Sequence, residues 1–398
     1  MRPFASWFAM PRVLVALLGC AMSSFVLAGP CFVYVGTYTD WELFRPLRRN
    51  PPGERSQGIY VFPFEPATGQ LGPRRLAAET QNPTYVTFSP SGRVLYAVNE
   101  IYVFHGAASG AVSAFRIDPA TGGLAFLNQV EAHGTGTCYA CVDRVGDHLL
   151  AANFGSGSAA VFPLGPDGRL RPASAVVQDA GSGPNPRQAG PHAHAINLSP
   201  DERFAIVSEF GTDRLALFRF DSDRGTLTPA EPPHLPLRPG SAPRHLAFHP
   251  THPVAYSLNE IDNTITVLAW NATRGSLREL QNVSTLPSGF SGRNTAAEVV
   301  VHPSGRFLYA SNRGNQSLAV FSIDNSGRIA LAGHVSCGGR TPRGFAVDPD
   351  GRWLIAANQD THNLVVFAVD EHTGMPVPTG QVVEVRTPVC VKFLRPTG

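Results

Sequence analysis

The sequence is short of charge. Charged residues fill 16% of its 398 positions, and their signs nearly cancel at a net +2. A chain so balanced offers no basic stripe to nucleic acid and no polybasic face to an anionic membrane. Helical signal is missing as well: beyond residue 30 no ten-residue stretch repeats its apolar positions at helical spacing. No apolar run in that part is long enough to span a bilayer. There is no Gly-x-Ser-x-Gly elbow and no phosphate-cradling Walker loop. Glycine (39) and proline (35), by contrast, are plentiful and recur at regular intervals. That distribution reads as turns between short strands, not as one disordered block.

Residues 1–28 differ from the rest. Arg2 and Arg12 precede apolar runs at Val13 to Leu18 and Phe25 to Ala28, and Val26-Leu27-Ala28 fits a small-residue cleavage signal. The segment is expected to be a secretory signal peptide, and the mature protein to be periplasmic or secreted. Gly19, Ser23 and Ser24 break the run, which argues against a membrane span. Leu17-Leu18-Gly19-Cys20 also resembles a bacterial lipoprotein signal, an alternative that makes Cys20 a lipid anchor.

A repeat organises residues 29–398 as a single domain. Pro83 to Asn99 reads as strand, tight turn, strand; Ala111 to Asp118 adds a third strand and Leu124 begins a fourth. The equivalents of Thr84 are Cys138, His194, Arg244, Ala297, Arg343 and Val389, spaced by 54, 56, 50, 53, 46 and 46 residues. Four strands with their turns need about that many, which is the period of a propeller blade. The last register has only a first strand, from Val389 to Phe393. Phe32 to Thr37 matches a second strand and Gly58 to Phe64 a third. The fold class is therefore all-β, a seven-bladed β-propeller whose C-terminal strand pairs with the N-terminal strands to close the ring. Closure removes open sheet edges. The Gly-His and Trp-Asp marks of WD repeats are missing.

Five cysteines lie beyond the signal segment. Cys138 and Cys141 fall within one strand, three apart and so on opposite faces, which argues against a zinc or redox pair. Cys31 and Cys390 sit near opposite ends of the chain. Their repeat registers place them roughly 13 Å apart along the paired strands at about 3.3 Å per residue, too far for a disulfide.

The start of each first strand and the end of each second strand meet at one mouth of the channel. The second strands end at Thr37, Asn99, Asn153, Glu209, Asn259, Asn312 and Asn358, followed by Tyr38, Glu100, Phe154, Phe210, Glu260, Arg313 and Gln359. With the first-strand column, this face gathers His192, His194, Glu209, Arg244, Glu260, Glu298, Arg313, Arg343 and Gln359. Arginines supply a fork for a carboxylate, a phosphate or an oxyanion, and a histidine or glutamate beside them can move a proton. His192, His194 and Glu209 could in geometry form a metal set, but the site is expected to be metal-free and to need no cofactor. His249 and His302 belong to turns on the opposite face, and His133, His334 and His372 are expected in loops.

Gly190-Pro191-His192-Ala193-His194, Ala242-Pro243-Arg244-His245, Asn259-Glu260, Ser311-Asn312-Arg313 and Pro342-Arg343-Gly344-Phe345 resemble motifs of the lactonase-type seven-bladed propellers. That family includes bacterial 6-phosphogluconolactonases and fungal carboxymuconate-lactonizing enzymes. The resemblance implies a lactone hydrolase whose partner is a small anionic or sugar lactone. It also implies that His192, Arg244, Glu260 and Arg313 are catalytic. His194, Glu209, Glu298, Arg343 and Gln359 are then expected around the substrate, with His192 or Glu260 as general base. Two alternatives remain at this point: a lactonizing or isomerizing enzyme for an anionic unsaturated acid, and a non-catalytic binding propeller of the cell envelope. The Pro- and Arg-rich insertion from Asp40 to Gln57 leaves from the end of a second strand and so can overhang the active face.

Overall fold

A computed structural model describes residues 31–40 and 55–395. Residues 1–28, expected to be a signal peptide, with Cys20 and most of the 40–57 insertion, lie outside the described residues. Seven antiparallel sheets follow one another, six with four strands and the first with five. There is no α-helix among the described residues.

The ends close the ring as the repeat requires. Blade 1 joins Pro388–Leu394 to Cys31–Thr37, with Phe32 opposite Leu394 and Gly36 opposite Cys390. Cys31 and Cys390 are both free thiols, separated along the ladder by several residues. Blades 2 to 7 begin with Tyr85–Phe88, Thr137–Val142, Ala193–Leu198, Pro243–Phe248, Thr295–Val301 and Pro342–Val347. These strands line the channel. The second strands are wholly or almost wholly buried between neighbouring blades, so they read as continuous apolar runs rather than alternating ones.

Aromatic residues at or near the second strands fasten five of the seven blades to the next by a hydrogen bond. Tyr34, Tyr96, Tyr256 and Tyr309 donate their hydroxyls to the carbonyls of Gly122, Gly168, Gly327 and Gly374 in the following blade, at 2.7 to 3.0 Å. Trp353 of blade 7 reaches Pro66 O of blade 1 at 2.9 Å, completing the circuit. The turn glycines have no room for a side chain. A Cβ on Gly275, whose φ is +65°, would lie 2.0 Å from the Phe204 ring. This packing accounts for the recurring Thr-Gly turns of the sequence.

His249 and His302 make comparable links, also on the side away from the mouth, to Gly305 O at 2.9 Å and Gly351 O at 2.8 Å. His334 departs from its expected loop. It lies in the outer strand Ile329–Ser336, paired with Ala319 of the third strand, and its Nε2 meets Thr285 O at 2.8 Å.

Candidate active site

One irregularity recurs at the mouth. In six blades the innermost strand carries one extra residue at its start, against the end of the second strand. The unpaired residues are Cys138, His194, Arg244, Arg343 and Val389, and in blade 6 Ala297 and Glu298 share the position opposite Ser311. This is the column that the repeat register singles out. A bulge re-aims side chains and lets two consecutive residues turn to one side. So Arg244 and His245 both face the channel, with Arg244 Nη1 3.1 Å from His245 Nε2.

Glu260 is the centre of the charged group. Its Oε2 lies 3.1 Å from Arg244 Nε and 2.8 Å from Arg313 Nη2, and its Oε1 lies 2.6 Å from Arg187 Nη2. Burial pushes the carboxyl up, but Arg313, Arg187 and Arg244 outweigh it and hold Glu260 far below the usual carboxylate range. A carboxylate this weakly basic is a poor proton acceptor, so Glu260 is unsuited to the base role considered for it and acts as the anchor of three guanidiniums. Arg244 and Arg313 are also fixed by carbonyls: Arg244 by Ala297 O, and Arg313 by Ala296 O at 3.0 Å. Burial lowers both, Arg313 to about 9, which leaves Arg313 charged at neutral pH.

His192 offers the complementary chemistry. Its ring stacks on Phe154, centroids 4.6 Å apart, and Nδ1 lies 2.7 Å from Phe154 O. A carbonyl only accepts, so Nδ1 carries the proton and Nε2 presents a lone pair. Glu209 does not join the pocket. Its Oε1 accepts from the amides of His192 and of Gly211, the latter at 3.0 Å, so it caps the short turn Phe210–Thr212 and holds the His192 backbone.

Deeper in the channel His245 Nδ1 meets Glu298 at 2.7 Å, and the His194 ring lies 5.3 Å from His245. Burial lowers His245 to about 4, and burial with Arg244 takes His194 well below its ordinary value. Both rings are neutral at pH 7. Arg343 forms a separate group: Nη2 reaches the Tyr38 hydroxyl at 2.9 Å, which in turn meets both oxygens of Glu100 at 3.0 Å. Gln359, also buried, touches Asp360 Oδ1 at 3.2 Å. Among the described residues no three His, Cys, Asp or Glu side chains converge as a metal set.

The expected residues missed four participants. Tyr38 and Glu100 occupy the same column as Glu260 and Arg313, and their register was the available signal. His245 follows Arg244 directly, where simple alternation hid it. Arg187 lies in an insertion outside the repeat, and no spacing pointed to it.

A family profile described as a seven-bladed β-propeller lactonase matches residues 32–393. The 6-phosphogluconolactonase of Bacillus subtilis (strain 168) is 36% identical over 362 residues, 91% of this chain and 97% of that protein. A 6-phosphogluconolactonase of Formosa agariphila is 29% identical over 322 residues, 79% of this chain and 85% of that one. The solved structure of the periplasmic gluconolactonase of Pseudomonas aeruginosa has a TM-score of 0.83 and 33% identity, covering 92% of this chain and 100% of that one.

Proposed function

This chain belongs to the lactonase family of seven-bladed β-propellers, and from that membership we propose that it is an exported hydrolase that opens the ring of a sugar lactone without a metal. The observation that carries the chemistry is the His192 tautomer: Nδ1 is committed to Phe154 O, which leaves Nε2 to accept a proton, and Phe210 links the imidazole, 6.2 Å between ring centroids, to Arg187 of the guanidinium cluster, 4.9 Å from the same ring.

In this reading His192 Nε2 takes a proton from a water as the water oxygen attacks the lactone carbonyl carbon. The charge that develops on the carbonyl oxygen is met by Arg244 and Arg313, which Glu260 holds in place before substrate arrives. The ring C–O bond then breaks, and the departing ring oxygen receives the proton from His192. The product is an open-chain hydroxy acid. Arg343, braced by Tyr38 and Glu100, orients the substrate from the same column as Arg244. Export is supported by the signal-like segment at residues 1–28 and by the periplasmic location in the name of the Pseudomonas relative.

Hydrolysis of a panel of sugar lactones by the mature protein, with and without EDTA, tests the proposal. Turnover that survives EDTA and falls in Arg244→Ala is expected. No turnover of any lactone would overturn the hydrolase reading, and turnover abolished by EDTA would overturn its metal-free form.

A further inference from the structure

The three guanidiniums on Glu260 are not equivalent. Arg244 and Arg313 share one oxygen, are almost fully buried at 3% and 11% exposure, and each has a backbone carbonyl as a second acceptor. Arg187 takes the other oxygen alone, and its side chain is 51% exposed. Its guanidinium carbon also lies 4.9 Å from the face of Phe210. If Arg187 leaves Oε1, Glu260 still has two guanidiniums on its other oxygen. If either of the others leaves, a buried charge loses its partner.

The turn that bears Arg187 is held without it. Asn185 caps Pro186–Gln188 by accepting from the Arg187 amide, and the Gln188 side chain returns to the Asn185 amide. Gln188 is fully buried, and its Nε2 donates to Phe210 O and to Asp213 Oδ1, both at 2.7 Å. Asp213 also accepts from the amides of Gly240 and Ala242, which lead into the strand of Arg244. A locked platform thus presents one half-exposed guanidinium to the mouth. One carboxylate among three guanidiniums also leaves local positive charge in excess.

We propose that Arg187 is a specificity-determining residue that exchanges Glu260 Oε1 for an anionic substituent of the lactone, a phosphate or a carboxylate remote from the ring carbonyl. Phe210 supports the guanidinium beside the mouth, since a ring face attracts a cation held over it. The inference rests on the lactonase reading for its substrate, but not for the recognition itself.

The test compares wild type with Arg187→Gln on glucono-δ-lactone, its 6-phosphate, and a glucaric acid lactone that carries a carboxylate at the same end. Loss of one charge-assisted pair corresponds to about a 10- to 100-fold effect. The wild-type preference in kcat/KM for at least one anionic lactone should fall by that factor, chiefly through KM. Equal losses on all three substrates, or no change in the ratio, would overturn the proposal. Calorimetric binding of gluconate, 6-phosphogluconate and glucarate gives a readout that needs no turnover. Tighter binding of an anion-bearing acid that disappears in Arg187→Gln supports the proposal even where no lactone is hydrolysed, in which case only the hydrolase reading fails. Binding that does not distinguish gluconate from the other two in the wild type, or a distinction that survives in the variant, overturns it.

Discussion

Nδ1 of His192 lies 2.7 Å from the backbone oxygen of Phe154, and the two rings stack with planes only 16° apart. Phe154 follows the last residue of a second strand in blade 3, while His192 precedes the first strand of blade 4. The imidazole is therefore oriented across a blade boundary by a main-chain atom that no side-chain substitution removes. Such an orienting partner selects the tautomer, as a carboxylate does in catalytic triads.

Replacement of His192 is the most direct check of the base. His192→Ala and His192→Gln should each lower kcat by roughly 100- to 10,000-fold, with a smaller change in KM. Steady-state kinetics on the best lactone substrate decide it. A kcat within a few-fold of wild type would remove His192 from the chemistry.

Glu260 gives a prediction about stability. Three guanidiniums hold its folded-state ionisation far below the value of about 4.3 that it has in an unfolded chain. Its contribution is then complete above about pH 4.3 and is lost as the pH falls further. Glu260→Gln leaves the guanidiniums without their partner and should cost about 3–5 kcal/mol near neutral pH. Denaturant melts should show a gap between wild type and variant that is constant at neutral pH and narrows in acid. A gap that instead widens in acid would contradict the ion-pair assignment.

The cysteines should be silent. Burial raises Cys141 to about 12 and Cys337 and Cys390 to about 11, and it takes Cys138 higher still. A thiol attacks as thiolate, so none of these four is activated near neutral pH. A thiol-reactive dye should label the folded protein lacking residues 1–28 slowly and the unfolded protein fully, and a reductant should leave its melting temperature unchanged. A reductant-sensitive melting temperature would point to a disulfide and overturn the free-thiol assignment.

Repetition made much of this architecture readable. The column from Thr84 to Val389 coincides with the bulged residues of six blades, and Asn259 and Glu260 fall at a strand end and just beyond it, as their register requires. The incomplete last repeat foretold the pairing of Phe32 with Leu394. What escaped was whatever the repeat does not govern. Strict alternation sends Arg244 and His245 to opposite faces, and only the bulge turns both inward. Glu209 stands in the right column, yet the irregular chain at Gly190 to His192 and Gly211 brings amides closer to it than the channel is. Arg187 sits in an insertion whose fold depends on the local chemistry of Asn185 and Gln188 rather than on any period.

Glu209 supplies a pH signature opposite in sign to that of Glu260. Burial raises its carboxyl to about 8, against about 4.3 in an unfolded chain. Only Oε1 has partners, the amides of His192 and Gly211, while Oε2 is buried without a hydrogen bond among the described residues. The folded protein therefore keeps a proton that the unfolded chain releases. The stability this provides is complete below about pH 4.3 and drains away as the pH rises through about 8. Glutamine offers the same acceptor oxygen and no proton to lose, so Glu209→Gln should gain on wild type steadily from acid to mildly alkaline pH and then hold its lead. Glu209→Ala should behave differently: it deprives the His192 amide of its acceptor at every pH and should lower kcat as the imidazole loosens. Thermal melts of the three proteins across that range, with kcat measured alongside, separate the effects. A melting-temperature difference between wild type and Glu209→Gln that stays flat with pH would mean that the carboxyl ionises in the folded protein as it does in water, and that its burial beneath His192 is not the environment described.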